Sequence, residues 1–315
     1  MGQNRIQFQA GLSLPEFFSR YGTEQQCEQA LAAQRWPQGF RCPRCGGDAA
    51  WSTRRGRQLL QLCAGCGYQC SLIAGTIMEN TKLPLRTWFL AMQLISSAKN
   101  GVAALELRRQ LDVSYPTAWM LKHKISQAMH LVEQERQLTG RIEMDDAFLG
   151  GELSGGKPGR GSENKTPFVV AVQSMHGKPH RVCLAAIPHR LTAVADFCGA
   201  HVARPATIVS DGLACFVAAE HSGVHEPIVT GGGRTSAQDE RFHGVNIYLG
   251  NLKSALTGTY RAFKFAKYAH RYFAEFQFRL NHREDLPTIL AKTLAAALLA
   301  PPTPERLLRA VETHC

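Results

Sequence analysis

The sequence predicts an α/β protein in which a cysteine-rich module and a helical region precede a mixed α/β domain. Three observations support this. Two Cys-x-x-Cys pairs lie near the N-terminus, helical periodicity dominates the next stretch, and from Arg141 short strand-like runs alternate with Gly- and Pro-rich turns. A chain of 315 residues is long enough for about two domains and a substantial core.

Composition narrows the classes of function. No apolar run reaches the ~18 residues of a membrane span, and the N-terminus lacks a charged-then-apolar signal segment, so we expect a cytoplasmic protein with no membrane partner. The net charge of +11 favours nucleic acid as a partner, although an ordinary basic surface has the same charge. Ten cysteines in such a chain favour metal binding over disulfides.

Residues 1–35 predict two short amphipathic helices, the first ending at Gly22 and the second beginning after Thr23 as its N-cap. A zinc ribbon is predicted next, over 36–78. Each Cys-x-x-Cys pair places two thiolates on one tight turn, and two such turns close a tetrahedral site for a structural Zn2+. The proposed ligands are Cys42, Cys45, Cys63 and Cys66.

Other residues of this module have two open interpretations. The four thiols also fit buried free cysteines or a disulfide pair, whereas Cys27 and Cys70 are expected to be small buried hydrophobic residues. Three arginines between the cysteine pairs suit either phosphate contacts or a solvated basic turn, namely Arg54, Arg55 and Arg57.

Residues 79–138 predict a helical region that contains a helix-turn-helix. A helix over 84–98 is followed by two helices joined by the break at 112–114. The second helix of such a motif lies in the major groove, with phosphate contacts from nearby cations. The candidates are Arg108, Arg109, Lys122 and Lys124. An ordinary helical hairpin with Trp119, Leu121 and Ile125 in its core fits the same pattern.

Acidic residues follow two of the predicted strands. Asp145 and Asp146 lie on the strand 142–149, and Asp211 comes directly after the strand ATIVS. If these strands are neighbours in one sheet, their carboxylates meet and repel each other, and Mg2+ is the usual partner that relieves this repulsion. Asp followed by Gly is also common in surface turns. Strand alternation turns only one of Asp145 and Asp146 toward such a site.

The order of these segments resembles bacterial insertion-sequence transposases of the ISXO2-like group, which carry a zinc ribbon before a DDE-type catalytic domain. The resemblance covers nearly the whole chain. It rests on the blocks RWPQGFRCPRCG, TKLPLRTWFLAM, EMDDAFLGGE, KPGRGSENKTPFVVAV, IVSDG, HGVNIYLGNLKSALTGTYRAF and RYFAEFQFRLNHR.

This resemblance implies a ribonuclease H-like core over 139–285, a mixed five-stranded sheet with flanking helices, followed by a C-terminal helical tail over 286–315. Asp145 and Asp211 match the first two catalytic carboxylates. The third family position, usually Glu, falls on Asn246, and an Asp-Asp-Asn-Lys variant of the family adds Lys253. Asp146 competes with Asp145, and Glu240 is a less favoured acidic substitute for Asn246.

The activity implied is that of a DNA transposase. It binds the terminal repeats of its element and performs Mg2+- or Mn2+-dependent cleavage and strand transfer by a two-metal mechanism. Double-stranded DNA is the expected partner, a homodimer or larger assembly the expected state, and the nucleoid the expected location. A basic loop would clamp DNA through Lys157, Arg160 and Lys165. A catalytically impaired DNA-binding regulator and a related ribonuclease H-like nuclease or resolvase are the alternatives.

Overall fold

The computed structural model describes residues 6, 8–150, 162, 164–229, 239–260 and 264–310. Within them the chain forms two compact units. The first contains residues up to 98 together with 104–129 and 284–309, and the second contains 99–103 and 130–283. None of the helices in these described ranges combines the length and apolar character that crossing a bilayer requires.

The N-terminal helices of the first unit follow their sequence signals. Helix α1 (Leu14–Tyr21) ends at Gly22, and α2 (Glu24–Arg35) is capped by Thr23, whose hydroxyl accepts from the N–H of Gln26 while the Gln26 side chain accepts from the N–H of Thr23. This reciprocal capping box satisfies backbone donors that the first turn leaves without partners. The two predicted helices are confirmed.

The ribbon is a three-stranded antiparallel sheet with the order β1-β2-β3. Strands β1 (Ala50–Arg55) and β2 (Gln58–Cys63) form a hairpin, and β3 (Gln69–Ser71) pairs with the other edge of β2. The two-residue hairpin turn begins at Gly56, whose φ of 60° lies in the left-handed region that glycine adopts without strain.

Five more helices lie in the first unit. They are α3 (Leu85–Ser97), α4 (Ala104–Leu111), α5 (Tyr115–Gln134), α9 (Ile289–Leu299) and α10 (Glu305–Leu308). Only the end of α5, from residue 130 onward, belongs to the second unit. The C-terminal helix α9 buries its apolar face against α2 and α3. The helix predicted over 84–98 and the two helices around 112–114 are confirmed, with Asp112 in the left-handed region at φ 49°.

The second unit is built on a mixed five-stranded sheet with the order β6-β5-β4-β7-β8. Its strands are β4 (Leu138–Leu149), β5 (Thr166–Met175), β6 (Lys178–Ala185), β7 (Val202–Ser210) and β8 (Val224–Pro227). The first three pair antiparallel, whereas β7 runs parallel to both β4 and β8. This is the mixed sheet that the sequence predicts, and a parallel β4-β7 pair requires the helical crossover between them.

Helices cover both faces of this sheet. One face packs on α6 (Leu191–His201) and a 3₁₀ helix (Ala214–His221), and the other packs on α7 (His243–Ala255) and α8 (Phe265–Asn281). Alternation along β4 divides its side chains between the two cores: Ile142 and Met144 face α6, whereas Leu149 faces α7. The predicted flanking helices are confirmed.

Candidate active site and metal centres

The four cysteine sulfurs of the ribbon converge on one point. The Sγ atoms of Cys42 and Cys66 lie 3.6 Å apart, those of Cys45 and Cys63 lie 3.5 Å apart, and all four fall within 4.8 Å of one another. These separations are too long for a disulfide bond of about 2.05 Å. They approach the ~3.8 Å edge of a tetrahedron whose Zn–S bonds are about 2.3 Å. The donor set therefore fits Zn2+ and leaves no open position for chemistry.

Two matching turns hold these sulfurs. The N–H of Gly46 donates to the carbonyl of Cys42 at 2.9 Å, and the N–H of Gly67 donates to the carbonyl of Cys63 at 3.0 Å. Both glycines have a positive φ, 74° and 68°, which a residue with a Cβ adopts only with strain. The sequence thus folds each Cys-x-x-Cys pair into the same knuckle independently of the other.

The clustered thiols differ in acidity. Burial tends to raise the pKa of Cys42, but hydrogen bonds from the backbone N–H groups of Cys45 and Arg44 and from neighbouring thiols lower this pKa to about 7. The backbone N–H of Gly47 tends to lower the pKa of Cys45, but the neighbouring sulfurs raise it to about 12. Four thiolates cannot coexist here without a cation because each repels the others.

A second cluster lies at the centre of the sheet in the second unit. Strands β4 and β7 are parallel neighbours paired up to Met144 and Ser210, so the residues that follow, Asp145 and Asp211, leave the pair side by side. Carboxylate oxygens of Asp145, Asp146 and Asp211 lie within 4.8 Å of one another, and all three residues are half-buried. Close carboxylates of this kind suit a divalent cation with oxygen ligands.

The turn after β7 fixes Asp211. Its Oδ1 accepts from the N–H of Leu213 at 3.0 Å, and Gly212 between them has a φ of 79°. Behind this turn the buried hydroxyl of Ser210 contacts Nε2 of His225 at 2.8 Å and accepts from the N–H of Gly212 at 3.3 Å. Hydrogen bonds to both sides of the turn therefore orient the carboxylate.

Asp146 has a partner on the α6 face of the sheet. Its Oδ2 lies 3.3 Å from Nδ1 of His189, whose Nε2 lies 3.1 Å from the carbonyl of Phe168. Only 4% of the Asp146 side chain and 13% of the His189 side chain are exposed. Because both ring nitrogens face acceptor oxygens, His189 fixes the orientation of Asp146. Sequence reasoning missed His189, which no motif spacing connects to the acidic strand.

Asn246 is brought to β4 by a residue that the sequence analysis also missed. Glu143 is buried, and its carboxylate accepts from the N–H of Val245 at 3.0 Å and from the hydroxyl of Ser174 at 2.8 Å. A Cβ on Gly244 would lie 2.9 Å from the same carboxylate, so glycine permits this close approach. Glu143 and Asp145 share one face of β4, so the start of α7, which contains half-buried Asn246, packs on the face that carries Asp145. A metal site shared by Asn246 and Asp145 stays a prediction.

The remaining catalytic candidates lie at the surface. Lys253 is exposed on α7, two helical turns after Asn246 and therefore on the same side of the helix. Glu240 is exposed in a 3₁₀ helix before α7. The catalytic roles of Lys253 and Glu240 stay predictions.

The residues predicted to contact DNA differ in their exposure to solvent. Arg108 and Arg109 are exposed on α4, and Lys165 is half-buried, whereas Lys157 and Arg160 lie outside the described residues. The placement of the other two argues against phosphate contacts. Lys122 is 2% exposed, and the ammonium of Lys124 donates to the carbonyl of Ile77 at 2.9 Å, while burial lowers its pKa. Helix α5 exposes little beyond its first turn, so these lysines support the interior rather than a groove of DNA.

Comparisons with known proteins match the two parts of the chain that contain these sites. A family model described as an ISXO2-like transposase domain matches residues 137–281, and one described as a transposase zinc-ribbon domain matches 22–69. The domain built on the five-stranded sheet belongs to the ISXO2-like transposase domain family. An uncharacterized protein in transposable element ISH50 of Halobacterium salinarum is 25% identical over 174 residues. That alignment spans 50% of this chain and 58% of the relative. The predicted family resemblance is confirmed for these two matched segments.

Proposed function

We propose that this ISXO2-like transposase cleaves DNA at the ends of its element and joins them to a target. The observation that carries the proposal is the convergence of three carboxylates where the parallel pairing of β4 and β7 ends, inside the domain that matches the transposase family. Asp145, Asp211 and Asn246 would hold Mg2+ or Mn2+. The chemistry that such ions would supply there is activation of the attacking hydroxyl and stabilisation of the leaving oxygen of the phosphodiester.

The chain's own side chains have separable tasks in this proposal. Asp145 and Asp211 supply the negative charge that concentrates divalent cations, and Asn246 adds a neutral amide oxygen. Lys253, exposed on the same side of α7, would hold a DNA phosphate as a point charge. The ribbon would hold its fold with Zn2+ and, with α4 and the start of α5, would bind the terminal repeats. Double-stranded DNA, a homodimer or larger assembly, and a nucleoid location remain part of the proposal.

The test is a nicking and strand-transfer assay on a supercoiled plasmid that carries the element's ends, with Mg2+ or Mn2+. We expect Asp211→Asn, which keeps the shape of the side chain, to lose cleavage by a factor of about 10³ or more, because a ligand charge is lost, while end binding remains. Equal cleavage by wild type and Asp211→Asn would refute the metal-dependent mechanism.

A second candidate is a DNA-binding regulator without activity, favoured by the amide at Asn246 where the family usually has Glu. The same assay separates the two. Asn246→Ala is expected to abolish cleavage and keep binding if the wild type is active. A wild type that binds ends but never nicks them would instead establish the regulator.

A further inference from the structure

Two adjoining grooves in the first unit are lined by cations. The first, with a volume of about 390 Å3, lies between the tip of the β1-β2 hairpin and the segment before α3. Its floor is apolar, and its cations are Arg55, Arg57 and Lys82. The second groove shares Glu24, Arg57 and Pro84 with the first and adds Arg86. The four cations therefore follow a row along the surface and do not converge on one small pocket.

The carboxylates of these grooves are already engaged within the protein. Glu28 accepts from both terminal nitrogens of Arg54, at 2.9 and 2.6 Å. Glu24 accepts from the backbone N–H groups of Leu85 and Arg86, at 2.7 and 3.1 Å, and so caps the start of α3. Glu28 is therefore paired with Arg54, and the Glu24 carboxylate faces the backbone N–H groups at the start of α3.

The cations themselves are exposed. Across the part of the chain that the structure describes, the side chains of this row form no ion pair: Arg55, Arg57, Lys82 and Arg86. Four cations beside one carboxylate that is not paired with arginine, that of Glu24, leave these grooves with a net positive charge that attracts a polyanion. Arginine forks also match phosphate oxygens in pairs, which makes them well suited to a phosphate backbone.

Helix α5 does not supply such a row, because Lys122 is buried and Lys124 is bonded to Ile77. We infer that the backbone of a DNA duplex lies along the two grooves, with its phosphates bound by Arg55, Arg57, Lys82 and Arg86. This inference rests on the proposed function, since it assigns a surface for the DNA binding that a transposase requires.

The experiment measures fluorescence anisotropy of a labelled 30-base-pair duplex of random sequence against the full chain over a range of salt concentrations. The test variant is Arg55→Gln/Arg57→Gln/Lys82→Gln. Its control, Arg20→Gln/Lys292→Gln/Arg306→Gln, removes the same charge from the same unit outside the grooves, at two exposed positions and at half-buried Lys292. Zinc content and thermal unfolding verify that both variants fold.

Each phosphate contact contributes about 0.9 to the slope of log K against log salt. We expect the test variant to reduce the slope by roughly 2–3 and to weaken the Kd by about tenfold or more at 0.15 M salt, while the control stays near wild type. The double variant Arg55→Lys/Arg57→Lys should retain most of the slope.

Equal slopes for the test and control variants would overturn the groove assignment and leave the proposed function standing. A wild type that binds duplex but never nicks plasmid would refute the proposed cleavage and leave the groove assignment to be decided by the slopes. A wild type that binds no duplex at low salt would refute both.

Discussion

Glu143 is the residue whose replacement tests the architecture of the active site most directly. Its buried carboxylate accepts two hydrogen bonds, from Val245 at the start of α7 and from Ser174 on β5. Hydrogen bonds to a charged group contribute about 1.5–3 kcal/mol each. Glu143→Ala removes both bonds, leaves the Val245 N–H without an acceptor and opens a small cavity. We therefore expect a loss of about 3–5 kcal/mol in the free energy of unfolding.

Glu143→Gln separates geometry from charge. The amide oxygen can still accept from Val245, and the amide nitrogen can donate to the Ser174 hydroxyl, which is free to rotate. We expect this variant to lose only about 1 kcal/mol, because charge-assisted bonds become neutral ones. Glu226→Ala, an exposed acid on β8, is the control and should stay within about 0.5 kcal/mol of wild type.

Urea unfolding followed by circular dichroism measures these free energies, and plasmid nicking well below the unfolding transition measures the effect on Asn246. Because Glu143 fastens the start of α7 beside Asp145, nicking should fall in Glu143→Ala and largely recover in Glu143→Gln. A Glu143→Ala variant as stable as wild type, or one that nicks at the wild-type rate, would refute the proposed docking of α7.

Three further predictions concern other parts of the molecule. His189→Ala should destabilise the second unit by about 3 kcal/mol, because it leaves the buried Asp146 carboxylate without its ring partner; a double-mutant cycle with Asp146→Asn measures the coupling, and additive effects would contradict it. Removal of zinc by a chelator should unfold the ribbon, and Cys63→Ser should lower the zinc content while Cys70→Ser keeps it; equal zinc in all three proteins would exclude the site. Burial lowers the pKa of His201, so below about pH 6.5 the unfolded chain binds a proton at this residue more readily than the native state does. The free energy of unfolding should therefore fall as the pH drops below about 6.5. His201→Gln should flatten the dependence of the unfolding free energy on pH between 7 and 5.

Local signals predicted much of this fold. The capping sequence at Thr23, the glycine after each cysteine pair and the alternation along β4 each act within a few residues, so their structural outcome is written in short stretches of sequence. The family resemblance supplied the mixed five-stranded sheet and matched Asp145 and Asp211 to the first two catalytic carboxylates. The strand order, which makes β4 and β7 neighbours, came only from the structure. The short edge strand β8 escaped prediction because four residues that include a proline carry almost no periodic pattern.

Side-chain environment was harder to predict than side-chain position. Lys122 and Lys124 have the residue type of phosphate ligands, but burial depends on which elements pack around α5, and a single helix sequence does not contain that information. The same limit applies to Glu143 and His189. Glu143 and its partner Val245 are 102 residues apart in the sequence, and His189 and its partner Asp146 are 43 residues apart. Only the folded sheet brings each pair together.

The interrupted path of the chain through the first unit has a consequence for biosynthesis. Helix α9, which completes the apolar contacts of α2 and α3, is translated only after every strand of the sheet. The ribosome therefore synthesises the last segments of the first unit after all strands of the second unit's sheet. A chain truncated by a premature stop codon before α9 would lack these segments. Its first unit, which is proposed to bind the element's ends, would be incomplete.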